Sequence, residues 1–197
     1  MRYPPTLQKL VEVLKRLPGV GARSAERYAF HLLTWDKLFI EEFAATLTQV
    51  PFKLERCQEC GALTESACAL CSNPARNAKQ LCVVAGFKDV FAIESTLEYR
   101  GLYHVLGCLL SPLDKRGPEK LGLPKLIERI QKLQCDEILL ALDSTLEGDA
   151  TALFLKRELE KSGIKLSRLA FGMPMGSSLE YVDNGTLAKA LISRSIF

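Results

Sequence analysis

Apolar positions follow two different rhythms along this chain. Near the N-terminus, Leu7, Leu10, Val11, Leu14 and Leu17 recur at the i, i+3, i+4, i+7 spacing of an amphipathic helix. Pro4-Pro5 lead into that helix with Thr6 as its cap, and Pro18-Gly19-Val20-Gly21 stops it. The same spacing predicts a second helix with Ala25, Tyr28, Ala29 and Leu32 on one face. A third, over about 36–48, would bury Phe39, Phe43 and Leu47, and Pro51 would end the helical part. After a cysteine-rich loop at 57–71 and a turn at Asn73-Pro74, the rhythm changes. Short apolar runs at 81–85, 103–106, 137–142 and 166–171 read as strands. They alternate with helical stretches at about 87–95, 124–134 and 147–162, which predicts βαβ units and a mostly parallel sheet. No internal repeat or low-complexity tract interrupts this order.

The chain has 197 residues, 48% of them hydrophobic, enough for one medium domain or two small ones. Charged residues at 25% are ordinary for a globular protein. The net charge of +3 conceals an asymmetry. Residues 1–35 hold six basic side chains (Arg2, Lys9, Lys15, Arg16, Arg23, Arg27) against Glu12 and Glu26, a local +4 that leaves the remainder at −1. A polyanion would be drawn to the N-terminal end. Met1 leads to prolines and a charged helix rather than an apolar signal region, and the longest uncharged apolar run, 138–142, is too short to span a bilayer. A soluble, cytoplasmic protein with no membrane contact is expected. Thiols stay reduced there, so seven cysteines need a reason other than disulfides.

Two motifs carry chemistry. Leu17-Pro-Gly-Val-Gly-Ala-Arg-Ser-Ala25 joins two amphipathic helices by a tight turn. Gly19 and Gly21 permit unusual backbone angles and leave N–H groups uncovered. The second helix starts at once, so its unpaired N–H groups and positive dipole end make a site for a DNA phosphate. Arg23 and Arg27, at i, i+4, project opposite the apolar stripe. Such contacts address the DNA backbone and carry little base specificity. The plainer reading is a helix stop followed by a solvated arginine face.

The second motif is Cys57-x2-Cys60-x7-Cys68-x2-Cys71. Each pair can form a knuckle placing two thiolates on one ion, and two knuckles complete a tetrahedral S4 shell. Four thiolates leave no open coordination position, so one structural Zn2+ is expected. Redox CxxC chemistry fits poorly, because it favours one pair at a helix start after a strand. Cys82, Cys108 and Cys135 read as buried small hydrophobes.

Leu17-Pro-Gly-Val-Gly21, the four cysteines and Leu81-Cys-Val-Val84 occur in one order with Tyr99-Arg-Gly-Leu-Tyr-His-Val-Leu106 and Leu110-Ser-Pro-Leu-Asp114. Gly117-Pro-Glu119, Glu147-Gly-Asp-Ala-Thr-Ala152 and Leu179-Glu-Tyr-Val-Asp183 follow. Over nearly its whole length the chain resembles the bacterial RecR recombination family. That resemblance implies an α+β multidomain protein: a helix-hairpin-helix at 1–53, a C4 zinc finger at 54–74, an α/β Toprim domain at 79–173 and a C-terminal assembly segment at 174–197. It further implies a non-enzymatic DNA-binding protein of recombinational repair. Such a protein forms a homo-oligomer, a dimer or a tetrameric ring, and acts with RecO and RecF to help load RecA at gapped or single-stranded DNA, including single-strand/double-strand junctions. By position, Gly19, Gly21, Arg23 and Arg27 would contact DNA, the four cysteines would hold zinc, and Asp143 and Glu147 would lie where the partner binds. The sequence departs from the family pattern at Ala85, where the first Toprim strand usually ends in a glutamate, and at Asp143-Ser144, Lys115 and Ser177.

The alternative is a Mg2+-dependent Toprim nuclease or topoisomerase-like enzyme. Mg2+ needs clustered hard oxygen ligands. Ala85 offers none, whereas Asp143, Glu147 and Asp149 could gather some charge. Their bland reading is that Ser144-Thr-Leu-Glu147 forms a capping box with acids in a first helical turn. No HExxH, P-loop or nucleophile elbow occurs, so no catalytic residues are expected. A pure scaffold is the third possibility.

Overall fold

The computed structural model describes residues 3–170 and 172–194. It divides into two compact units, Met1–Leu54 and Glu55–Phe197, each taken by itself.

In the first unit, α1 (Pro5–Leu14) and α2 (Ala22–Leu32) pack as an antiparallel hairpin. Val11, Ala25 and Ala29 are buried between them, flanked by Leu7, Leu10, Leu14 and Val20. The two alanines, one helical turn apart, let the helices approach closely. Thr6 does not cap α1. The helix starts at Pro5, whose fixed φ and missing N–H suit a first helical position. Tyr28 departs from the expected buried stripe, standing exposed beneath the Arg27 guanidinium, 5.4 Å from its ring centre.

Helix α3 (Lys37–Lys53) is capped by Asp36, whose carboxylate accepts the Phe39 amide at 2.8 Å. It buries none of its residues, so the expectation for Phe39, Phe43 and Leu47 fails. Phe39 and Phe43 instead pack against Trp35, the first tilted and the second edge-on, with ring centres 4.5 and 5.6 Å away, and remain about half exposed. Pro51 does not end the helix either. It lies in the last turn, where the N–H it lacks costs the helix one hydrogen bond close to its end.

The second unit begins with a two-stranded ribbon, β1 (Glu55–Arg56) and β2 (Leu63–Thr64). A four-stranded parallel sheet follows, built from β3 (Asn77–Val84), β4 (Gly101–Val105), β5 (Glu137–Ala141) and β6 (Lys165–Arg168) in the order β4-β3-β5-β6. The last strand stops short of the expected 171, and Phe171 lies outside the described residues. Helices α5 (Leu123–Leu133) and α6 (Leu146–Leu159) bury Leu126, Ile130 and Leu155 against Leu81, Val83, Ile138 and Leu140 of the sheet. A second cluster joins α4 (Phe87–Glu94), through Val90, with Cys60, Ala62 and Cys68 of the cysteine loop around Cys82, Val84 and Tyr103. Cys82 and Cys135 are buried as expected. Cys108 is only half-buried, its Sγ directed at the Lys120 carbonyl 3.5 Å away. Near the C-terminus α7 (Asn184–Ile192) is capped by Asp183. No helix among the described residues is long and apolar enough to cross a membrane.

Candidate DNA-binding hairpin and metal centre

The turn between α1 and α2 is open and uncapped. Gly19 sits at φ +76°, a conformation that L side chains avoid, and the space around Gly19 and Gly21 is empty to 4 Å. Gly21 is the N-cap of α2, and no side chain caps the helix. The amides of Ala22, Arg23 and Ser24 therefore lack intrahelical acceptors and face outward with the positive dipole end. Arg23 and Arg27 are both exposed on the side away from buried Ala25 and Ala29. A cation in the first turn opposes the dipole by about 0.3–1 kcal/mol. A phosphate placed there would turn that repulsion into attraction.

The four cysteines converge. Their sulfur atoms all lie within 4.8 Å of one another, with Cys60 to Cys68 at 3.6 Å and Cys57 to Cys71 at 4.0 Å. These pairs join one knuckle to the other. They are too long for disulfides, whose S–S bond is about 2.05 Å. A tetrahedron with Zn–S bonds of about 2.3 Å has S···S edges of roughly 3.8 Å, so the donor set fits that ion. Knuckle geometry follows from the backbone: Gly61, at φ +77°, donates its amide to the Cys57 carbonyl at 2.9 Å, and Ser72 does likewise to Cys68. The pKa of the Cys60 thiol is pushed upward, first by its hydrogen bond with Cys71 and then by burial. Burial pushes Cys68 upward as well. A cation removes that penalty by giving the thiolates a partner. Among the described residues no other group of three or more potential ligands gathers this closely.

Asp143 and Glu147 do come near one another. Both line an open groove of about 440 Å³ at the C-terminal ends of the strands, together with Ala85, Asp89, Arg116 and Thr145. This crevice lies where the chain turns outward from β3 in both directions, the usual ligand position of such sheets. Asp149 is not part of it. That carboxylate pairs with Arg168 and, at 3.2 Å, with Lys189, and its pKa falls, chiefly through the Arg168 hydrogen bond. The expected Ser144 capping box is displaced by one residue: Thr145 is the cap, its hydroxyl accepting the Gly148 amide at 3.1 Å. Glu147 remains in the first turn, where the dipole favours it.

Comparison with known proteins follows the same segments. Residues 7–50 match a family model described as "RecR, helix-hairpin-helix", residues 79–170 a Toprim domain, and residues 172–195 "RecR, C-terminal". A protein named recombination protein RecR from Protochlamydia amoebophila is 58% identical, with all of both chains covered. The chain belongs to the RecR family. Further RecR proteins, from Halorhodospira halophila and Deinococcus radiodurans, are each 46% identical over 98% of this chain, covering 96% and 88% of their own lengths. A RecR helix-hairpin-helix spanning the Gly19–Gly21 turn suggests interaction with DNA. In this chain the four cysteines fall between the matched hairpin and Toprim segments, as a cluster able to hold a metal ion.

One residue near the cysteine cluster escaped the sequence reading. Arg129 is only 5% exposed and donates through Nη1 to the Glu59 carbonyl at 2.8 Å and through Nη2 to Cys71 Sγ at 3.3 Å. Its signal was available. Leu126, Arg129, Ile130 and Leu133 share one helical face, and a charge inside an apolar stripe demands a buried partner.

Proposed function

We propose that this RecR protein is a non-enzymatic DNA-binding protein of recombinational repair that acts with RecO and RecF to help load RecA at gapped or single-stranded DNA. The observation that carries this reading is the α1–α2 turn: an uncapped helix start and two open glycines beside two exposed arginines. Gly19, Gly21, Arg23 and Arg27 would hold the sugar–phosphate chain and read no bases. Repair itself is supported by the name recombination protein that the relatives bear. The division into hairpin, zinc finger, Toprim domain and C-terminal segment belongs to the same reading, as does a cytoplasmic location.

Cys57, Cys60, Cys68 and Cys71 would hold one structural Zn2+, which when bound ties the two knuckles into a fixed scaffold. Asp143 and Glu147, on the rim of the open groove, would face the partner proteins. The uncovered apolar face of α3 supports assembly into a dimer or tetrameric ring. Catalysis has little support. Ala85 supplies no oxygen ligand, and Asp149 is already neutralised by two cations.

Incubation with supercoiled and gapped DNA, with Mg2+ present, tests the reading. Retardation in gels at low salt, without nicking or relaxation, is expected. Cleavage that disappears in Asp143→Ala would establish the Mg2+-dependent enzyme instead. Absence of retardation would leave only a scaffold.

A further inference from the structure

Arg129 is a buried cation with no carboxylate within ion-pair distance among the described residues. A guanidinium out of water needs a counter-charge, or its burial is strongly unfavourable. The group it touches that can become anionic is the sulfur of Cys71, 3.3 Å from Nη2. Four thiolates around a divalent ion carry a net charge of −2, which supplies the missing partner.

We infer that Arg129 is a positioning residue of the metal centre, so that helix α5 of the Toprim domain helps to hold the metal. This inference rests on the zinc reading of the four cysteines. The guanidinium joins the two knuckles, because Glu59 precedes Cys60 in one and Cys71 closes the other. Its planar fork reaches both acceptors at once, which a single ammonium cannot do. An N–H donated to a ligating thiolate withdraws electron density from the sulfur and fixes its orientation. Neighbouring contacts run the same way. Lys125 donates to the Gln58 carbonyl, and the Val105 amide, on the unpaired edge of β4, donates to the Cys60 carbonyl at 2.8 Å. Lys132 pairs with Glu59 at 3.2 Å, but both side chains are more than half exposed, so this bond is a surface ion pair. The knuckles are thus seated on the Toprim domain, with Arg129 as the one contact from that domain, among the described residues, that reaches a ligand sulfur.

The test uses the full chain loaded with Zn2+, and separately with Co2+, comparing wild type with Arg129→Met, Arg129→Lys and Lys132→Met. Zinc affinity should fall about tenfold to a hundredfold in Arg129→Met, the range found when such supporting partners are lost, and transfer of zinc to a competing chelator should quicken. The thiolate-to-Co2+ charge-transfer band should move to lower energy, because the sulfur regains donor strength. Arg129→Lys should shift both readouts in the same sense, less far. It carries the comparison if the Met variant does not fold. Lys132→Met should match wild type in both. Wild-type transfer rates and band positions in Arg129→Lys, with one metal bound per chain, would overturn the inference and leave the zinc reading intact. Faster transfer with an unmoved band would also overturn it, as the mark of a role in packing alone. A wild-type chain that binds neither ion would overturn both.

Discussion

Gly148, in the first turn of α6, lies directly against the backbone carbonyl of Asp143, so closely that a methyl group there would overlap the oxygen. This contact folds the 143–147 loop over the helix start and sets the rim of the groove that carries Asp143 and Glu147. Ala in place of Gly inside a helix would ordinarily gain about 1 kcal/mol. Here the overlap is backbone against backbone, and relieving it costs the upper end of roughly 1–3 kcal/mol. Gly148→Ala should therefore lower stability, read as a lower urea midpoint. An unchanged or higher midpoint would contradict the close approach.

His104 makes stability depend on acid. Its ring is 4% exposed, and Nδ1 has no hydrogen-bond partner among the described residues. Burial first, then the charges of Arg129 and Lys125, lower its pKa from 6.5 to about 4. In the unfolded chain the ring gains a proton near pH 6.5, while in the folded chain it resists until about pH 4. The neutral ring's contribution is complete above pH 6.5 and is lost as pH falls from there toward 4, at most about 3 kcal/mol. Urea unfolding at several pH values should show a shallower acid slope in His104→Asn than in wild type. Equal slopes would remove His104 from the account.

Gln134 closes α5 in the left-handed region, at φ +50°. For a residue bearing Cβ this conformation costs about 1 kcal/mol, and for glycine it does not. The bonds that end the helix, Cys135 amide to Ile130 carbonyl at 3.3 Å and Lys79 Nζ to the Gln134 carbonyl at 2.9 Å, need no Gln side chain. Gln134→Gly should gain about 0.5–1 kcal/mol, a rise in Tm of a few degrees by calorimetry, whereas Gln134→Ala should gain nothing.

The parts that sequence reasoning resolved are those governed by local rules. The unbroken apolar runs at Leu81–Val84 and Ile138–Ala141 specified a parallel sheet, because strands covered on both faces are apolar throughout. The spacing of four cysteines specified their convergence, because two knuckles have few ways to share an ion. The failures arose where local rules compete or fall silent. Periodicity placed Phe39, Phe43 and Leu47 on one face of α3 but carried no information about what covers it. Thr145 rather than Ser144 became the α6 cap, since both hydroxyls fit and the Asp143–Gly148 contact decides the register. The helical face of α5 marks Arg129 as buried but not its partners, because Glu59 and Cys71 lie about 60 to 70 residues earlier in the chain, beyond the reach of any helix-based pattern.

The central claim is that the α1–α2 turn grips the DNA backbone, and DNA affinity measured against salt tests it most directly. Each phosphate neutralised adds about 0.9 to the slope of log affinity against log salt. Arg23→Ala combined with Arg27→Ala should weaken binding equally on unrelated sequences and flatten that slope by nearly two. Wild-type affinity and slope in the double variant would contradict the assignment.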